Sequence, residues 1–264
     1  DDDVLPLKGH NLIARHYNNL VSDNGVTICS KRKWYNTMEN LKLNSPKRLF
    51  PRGYPYAKEA RVEGYSWSDC GAKCVLNMGL WIGNPDLDAL TIVYNGGLDG
   101  RYIVKGNALK RGKVIISKGT YVPVCSMNTS FLPIIIPAFY QLYMNYRGID
   151  RFDDIWSGIF LKKITDHLGE NICLGNPLVY HDKRPRDVFI DLKKELEGMI
   201  INEKLWKIVD EVELDGKTYW DAYISLVSEL EKRVTKLENN LCKKFLSAQI
   251  EKMSLWLKIV DKLR

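Results

Sequence analysis

The sequence predicts a mixed α/β protein that ends in a helical segment. Two patterns predict it. Short apolar runs of strand length at residues 26–29, 75–82, 113–117 and 178–181 are interspersed with helical runs as far as residue 209. From Thr218 onward the apolar spacing is helical alone, with Tyr223, Leu226, Leu230, Val234, Leu237, Leu241 and Phe245 three or four residues apart, continued by Ile250, Met253 and Leu257.

Taken in order, residues 4–30 read as mixed, beginning in a loop and reaching the strand at 26–29. Residues 31–43 read as a helix stopped by Asn44-Ser45-Pro46. Phe50-Pro51-Arg52-Gly53-Tyr54-Pro55-Tyr56 carries two prolines and a glycine in seven residues, which forbids regular structure and predicts a shaped loop. The strand at 75–82 ends at Gly83-Asn84-Pro85, and Asp86-Leu87-Asp88 leads into 89–94. Turns follow at Asn95-Gly96-Gly97 and Asp99-Gly100, and a strand at 113–117. Ile155, Ile159, Ile164 and Leu168 predict a helix over 153–168, with Asp153 or Asp154 capping its start. Gly175-Asn176-Pro177 reads as a break before the strand at 178–181, and 188–209 as a helix interrupted at Gly198. The natural division is a mixed α/β domain over 1–187 and a helical region over 188–264, the latter being one long helix or a helical pair suited to packing on the main domain or on another subunit.

The 264 residues are 45% hydrophobic and 27% charged, the composition of a globular chain rather than a disordered one. The formal charge is +7, but the densest basic groups, at 31–33, 183–184 and 193–194, are short. That speaks against a nucleic-acid arm and suits a small anion such as a nucleoside diphosphate. The six cysteines include one close pair, Cys70 and Cys74, and no second pair to complete a zinc site. Reduced thiols and a cytoplasmic location are therefore expected. No apolar run is long enough to span a membrane; the most apolar stretch, 131–143, contains two prolines and reads as buried core.

Several side chains have the chemistry of a site. Asp1-Asp2-Asp3 can aim carboxylates one residue apart at a hard divalent cation, though a solvated chain end shows the same pattern. Asp86 and Asp88 repeat that spacing and serve equally well as turn and cap residues. Asp153 and Asp154, beside Arg151 and Trp156, suit a helix cap, a general base or a sugar-hydroxyl acceptor. His181 ends a short strand, where an imidazole can reach a metal; a purely structural histidine is the plainer alternative. Arg52 sits in the rigid Pro-Arg-Gly-Tyr-Pro loop, where a guanidinium can grip a diphosphate with two parallel hydrogen bonds.

The order of these pieces resembles the reversibly glycosylated polypeptides. Those proteins run through an acidic triplet, an R-G-Y-P-F loop, a G-L-W-x-x-x-P-D-x-D segment, a K-G-T-x-x-P-x-C-x-M-N segment, an R-Y-D-D-x-W-x-G segment and a Y-H-x-K segment. Here the counterparts are Asp1-Asp2-Asp3, Arg52-Gly53-Tyr54-Pro55-Tyr56, residues 79–88 from Gly79-Leu80-Trp81 to Pro85-Asp86-Leu87-Asp88, residues 118–128 from Lys118-Gly119-Thr120 to Cys125-Ser126-Met127-Asn128, Arg151-Phe152-Asp153-Asp154-Ile155-Trp156-Ser157-Gly158, and Tyr180-His181-Asp182-Lys183. An N-L-K-K-E element of the family is echoed in Asp191-Leu192-Lys193-Lys194-Glu195. The likeness covers about residues 1–200; the sequence departs from the family at 58–62, Ser126 and Asp182, which leaves the sugar open.

The resemblance implies a GT-A glycosyltransferase-like mixed sheet flanked by helices, with a nucleotide-binding N-terminal part not included in this sequence. It implies a UDP-sugar substrate and a divalent metal, Mn2+ or Mg2+, held by Asp1 and Asp3 with His181 completing the shell. Lys183 is then expected near the diphosphate, Asp153 and Asp154 at the sugar, and Asp86, Asp88, Asn128, Arg151 and Trp156 among the substrate contacts. Arg52 matches the arginine implicated in reversible sugar attachment, with a diphosphate clamp as its alternative role. The implied activity is interconversion of pyranose and furanose forms of a UDP-sugar; the alternatives are transfer to a separate acceptor and a non-catalytic subunit. Oligomer formation through the C-terminal helices is a further expectation.

Overall fold

Every residue of the strand Leu76–Gly83 is buried, as are eight of ten in Ile172–His181. Strands covered on both faces form the centre of a layered α/β sheet. The computed structural model describes residues 3–43, 47–104, 108–144, 146, 148–238 and 240–263. In chain order its elements are β1 (Val4–Pro6), α1 (Leu12–Val21), β2 (Val26–Ser30), β3 (Tyr65–Ser68), β4 (Leu76–Gly83), α2 (Ala89–Tyr94), β5 (Lys113–Ile116), β6 (Thr129–Phe131), α3 (Asp153–Leu168), β7 (Ile172–His181), α4 (Val188–Asp210), α5 (Tyr219–Val234) and α6 (Asn240–Asp261). The sheet runs β3-β2-β5-β7-β4-β6, with β1 also paired to β7. It is mixed: β4 and β7 are parallel, as are β2 and β5, while β5 is antiparallel to β7. The α/β class is therefore as the sequence predicts, and no described helix is long and apolar enough to cross a membrane.

The differences from the sequence reading are local and have tertiary causes. Residues 31–43 do not form an α-helix: Lys33 turns through φ 70°, Trp34 and Tyr35 are fully buried, and only Thr37–Asn40 coils, as a 3-10 helix. Tyr35 N–H donates to the carbonyl of Tyr121 at 2.9 Å, so two buried aromatics pin this segment beside the sheet. The early residues are ordered into β1 and α1. Gly175-Asn176-Pro177 is not a break; β7 passes through it, shifting register against β4. Residues 131–143 are only partly core, since Ile135, Ala138 and Leu142 are buried while Phe131, Ile134, Ile136 and Tyr143 are exposed. Asp153 and Asp154 lie in the first turn of α3, whose N-cap is Phe152. The helix at 188 runs through Gly198, which is there for close packing rather than as a break: a Cβ would lie 2.5 Å from the Phe152 ring. The C-terminal stripe resolves into the pair α5 and α6. One apolar cluster extends from Ile28 to Met253, so the helical region shares its core with the sheet.

Candidate functional site

Because β4 and β7 are parallel, their carboxyl ends open at the same edge of the sheet, the usual place for a ligand in such layers. Gly83 ends β4 at φ 87°, a left-handed backbone where a Cβ would also meet the His181 carbonyl at 2.8 Å. This lets Asn84 fold back under His181. Asn84 N–H donates to the His181 carbonyl at 3.1 Å, and the His181 ring Nδ1 lies 2.6 Å from the Asn84 carbonyl. β1 runs antiparallel along β7 with Val4 opposite His181, which brings Asp3 alongside the imidazole. The N-terminus of α3 faces this edge, and a cavity of about 370 Å³ lies between them. Asp3, Arg52, Pro85, Asp86, Cys125, Ser126, Met127, Asp150, Arg151, Asp153, Asp154, His181, Lys183 and Arg186 line it.

A carbonyl only accepts, so Nδ1 of His181 carries the proton it donates to that carbonyl, and Nε2 is the nitrogen left to face Asp3. Nε2 stands 3.4 Å from Asp3 Oδ2. Two electron-pair donors this close require a proton or a cation between them. Neighbouring ligands about 2.1 Å from a divalent ion lie about 3.0 Å apart, near the observed separation. Asn84, whose side-chain amide donates to the His181 carbonyl, has a buried side-chain oxygen that accepts no hydrogen bond among the described residues. No three His, Cys, Asp or Glu residues among those described converge on one point. Asp3 and His181 can thus share a proton, or hold an ion as two protein ligands with its remaining positions open to phosphate or water. Asp1 lies outside the described residues.

Arg52 is the hub of the wall. Its Nε and Nη2 grip both oxygens of Asp86 at 2.9 Å each. Nη1 and Nη2 reach Asp154 at 3.4 and 3.3 Å, and Nη1 also donates to the Arg151 carbonyl. All five guanidinium N–H groups are thereby engaged. Burial works against the charge, but Asp154 and Asp86 outweigh it and hold the guanidinium well above its ordinary pKa. Burial likewise opposes the charge on Asp86, which Arg52 nevertheless keeps below the usual carboxylate range. The Cys125 thiol lies beside Asp86; burial and the adjacent Asp86 and Asp154 push its pKa well up, so it stays a thiol. Gly53, at φ 81°, packs against Ile155, where a side chain would clash at 2.5 Å.

Two groups in the cavity are uncommitted. Lys183 makes no hydrogen bond or ion pair among the described residues; burial, then repulsion from Arg186 and Arg151, lowers its pKa to about 8. Asp153 makes no ion pair among them, and burial together with the neighbouring Asp154 raises its pKa. Arg151 and Arg186 add further positive charge beside Lys183. Asp154 also accepts the Ser126 backbone N–H at 3.1 Å.

The structure thus brings Asp3, Arg52, Asp86, Arg151, Asp153, Asp154, His181 and Lys183 to one cavity. Three expected contacts lie behind its wall. Asn128 donates to the carbonyls of Leu80 and Pro177 at 3.1 and 2.8 Å and accepts from His16 at 2.9 Å, spending its amide on the sheet. Trp156 is fully buried, its ring N–H on Asn202 at 3.0 Å. Asp88 caps α2, accepting from Thr91 N and the Tyr56 hydroxyl at 2.7 Å each. Cys125, Ser126, Asp150 and Arg186 also line the cavity, with Asn84 adjoining it in sequence only, and none of them stands out in the sequence as a site residue. Asn84, Cys125 and Ser126 lie within the quoted motifs, and Arg186 is three residues beyond Lys183; nothing in the sequence singled out Asp150.

A family profile described as "Reversibly glycosylated polypeptide" matches residues 19–264. UDP-arabinopyranose mutase 1 of Oryza sativa subsp. japonica is 30% identical over 251 residues, covering 90% of this chain and 61% of that protein. UDP-arabinopyranose mutase 2 of Arabidopsis thaliana is 31% identical over 194 residues, covering 72% of this chain and 49% of that protein. UDP-arabinopyranose mutase 3 of Arabidopsis thaliana is 28% identical over 247 residues, or 90% of this chain and 61% of its own length. The chain therefore spans about half to three-fifths of the curated relatives it matches.

Proposed function

We propose that this chain, which belongs to the reversibly glycosylated polypeptide family, binds a UDP-sugar in the cavity at the β4–β7 edge and interconverts the pyranose and furanose forms of the sugar. The names of its relatives as UDP-arabinopyranose mutases support the reaction type. The observation that carries the reading is the pairing, in one cavity, of Lys183 and Asp153, which have no ion-pair partner among the described residues, beside the Asp3–His181 pair. We read the sheet as part of a GT-A-like fold working in the cytoplasm, where its six free thiols remain reduced.

On this reading Lys183, Arg151 and Arg186 receive the diphosphate. A manganese or magnesium ion on Asp3 and His181 would offset the negative charge of the departing nucleotide. Opening and reclosing the sugar ring moves a proton between the ring oxygen and a hydroxyl. Asp153 suits that exchange, since a raised carboxylate pKa lies closer to the working pH. Arg52 keeps Asp86 ionised and orients both Asp86 and Asp154. Attachment of a sugar to Arg52 would first require its release from at least one of these carboxylates.

Proton NMR of the full chain with manganese and a panel of UDP-sugars tests the proposal. Conversion of a UDP-pyranose into its furanose form is the expected result. Loss of sugar to water or an acceptor, with free UDP, would replace the mutase by a transferase. Binding with unchanged spectra would leave a non-catalytic subunit.

A further inference from the structure

The segment Asp191-Leu192-Lys193-Lys194-Glu195 puts two carboxylates four residues apart on α4, on one face of the helix. Both are buried, Glu195 completely. Asp191 pairs with Arg186 at 2.6 Å and lies 3.7 Å from Arg151. Glu195 divides its two oxygens. Oε1 accepts from Arg151 Nε at 2.6 Å, and Oε2 accepts from the backbone N–H of Ala89, the first residue of α2, at 2.6 Å.

These contacts close a ring. Glu195 holds Arg151; the Arg151 carbonyl accepts from Arg52; Arg52 grips Asp86; and Asp86 leads, three residues on, to Ala89 and back to Glu195. One side of the ring is the 150–154 wall of the cavity and the other is the 85–89 wall. Arg151 has φ 67°, a left-handed backbone that a non-glycine residue keeps only when its surroundings dictate it. Here the dictating contacts are Arg52 on its carbonyl and Glu195 on its side chain. With Nε so tethered, the terminal N–H groups of this cavity-lining guanidinium make no hydrogen bond among the described residues; Nη1 has only the longer ion pair with Asp191 at 3.7 Å.

We propose that Glu195 is a positioning residue: its carboxylate holds Arg151 so that the terminal N–H groups are presented to a phosphate of the bound nucleotide. This rests on the nucleotide-sugar reading of the cavity. It gives the buried acidic pair on α4 a task beyond packing, since a fully buried carboxylate is retained at a cost unless it is paired.

The test is a double-mutant cycle on UDP affinity, measured by calorimetry on the full chain with manganese, with thermal midpoints recorded alongside. Arg151→Ala and Glu195→Gln are each expected to weaken UDP binding about tenfold, the scale of one charge-assisted hydrogen bond. The double variant is expected to be no weaker than either single one, because each change removes the same phosphate contact. A merely structural Glu195 would lower the midpoint and leave the affinity of the folded protein unchanged. Lys183→Met tests the site by itself and is expected to weaken UDP binding whichever residue stands at 195. If the wild-type chain does not bind UDP, the reading of the site and this inference fall together. If it binds and Lys183→Met weakens it, but Glu195→Gln binds normally or its effect multiplies with that of Arg151→Ala, the inference alone falls. Should Glu195→Gln not fold, Glu195→Asp keeps the charge but is too short to reach Arg151 and Ala89 together, and the same cycle applies.

Discussion

Replacing Arg52 by Met removes one cation from between two carboxylates. Asp86 and Asp154 are 6% and 4% exposed, so neither gains water in exchange. Breaking a buried ion pair from one side costs about 3–5 kcal/mol, a large share of the roughly 5–15 kcal/mol that holds a domain together. At about 2–4 °C per kcal/mol for a chain of this size, the midpoint should fall by about 6–20 °C near neutral pH. The loss should also depend on pH. With Arg52 present, the folded pKa of Asp86 is depressed below its ordinary 3.8, so its contribution to stability is complete above that value and disappears only as pH falls through the depressed one. Without Arg52, burial, the largest influence, is opposed only by Arg151 and Cys125 and raises the folded pKa. The sign then reverses, and the penalty grows as pH rises through the raised value. Thermal unfolding of both proteins by circular dichroism at pH 4.5, 5.5 and 7 should show the gap widening with pH. An unchanged midpoint, or a gap independent of pH, would refute the picture of one guanidinium balancing two buried carboxylates. Loss of sugar labelling in an Arg52 variant would therefore not by itself prove attachment to Arg52, since the same change disorders the wall that holds Asp154.

Asp153→Asn should leave UDP affinity within about twofold and lower interconversion by about 10²–10⁴-fold, as removal of a general acid–base does, read by NMR of the anomeric protons. Asn128→Ala strands the carbonyls of Leu80 and Pro177 and the His16 ring N–H; it should cost about 2–3 kcal/mol in urea unfolding while UDP affinity of the folded protein is unchanged, whereas a selective loss of affinity would return Asn128 to the ligand. Gly198→Ala should gain about 1 kcal/mol in helix propensity and lose more through contact with Phe152, where the added Cβ lies 2.5 Å from the ring; a higher midpoint would show that Phe152 gives way freely.

What was legible in the sequence was what local pattern determines. α3 begins and ends where its apolar period and acidic first turn place it, and β4 is the buried run before Gly83-Asn84-Pro85. The helix expected over 31–43 gave way because Trp34 and Tyr35 are recruited into the core, a tertiary effect that propensity does not contain. Motif membership identified most residues of the cavity but not their depth. Asp86 and Asp88 share one short motif, yet one faces the cavity and the other caps a helix behind it. Asp153 and Trp156 lie three residues apart on α3, and only the first lines the cavity. Arg186 and Glu195 become site residues only through the packing of α4, which the local sequence does not specify.

That packing changes how the C-terminal region relates to the site. A boundary at 187 separates side chains that are hydrogen-bonded to one another. The inner face of α4 carries Asp191, Glu195, Asn202 and Glu203, at a spacing that keeps them near one face of the helix. Asp191 and Glu195 hold Arg186, Arg151 and the start of α2. Asn202 donates to the Gly53 carbonyl at 2.9 Å and accepts from the Trp156 ring, joining the Arg52 loop to α3. Glu203 accepts the backbone N–H groups of Tyr56 and Ala57 at 2.5 and 3.2 Å, closing the same loop at its far end. Each irregular segment that presents a side chain from the 50–57, 85–89 or 150–154 walls is thus anchored to a single rigid helix. Loops carry the chemistry because their backbones can place side chains where no strand or helix would, and they hold those positions only when something stiff supports them. In this chain that support comes from α4, so residues far along the sequence from the Arg52 loop determine the geometry of its guanidinium.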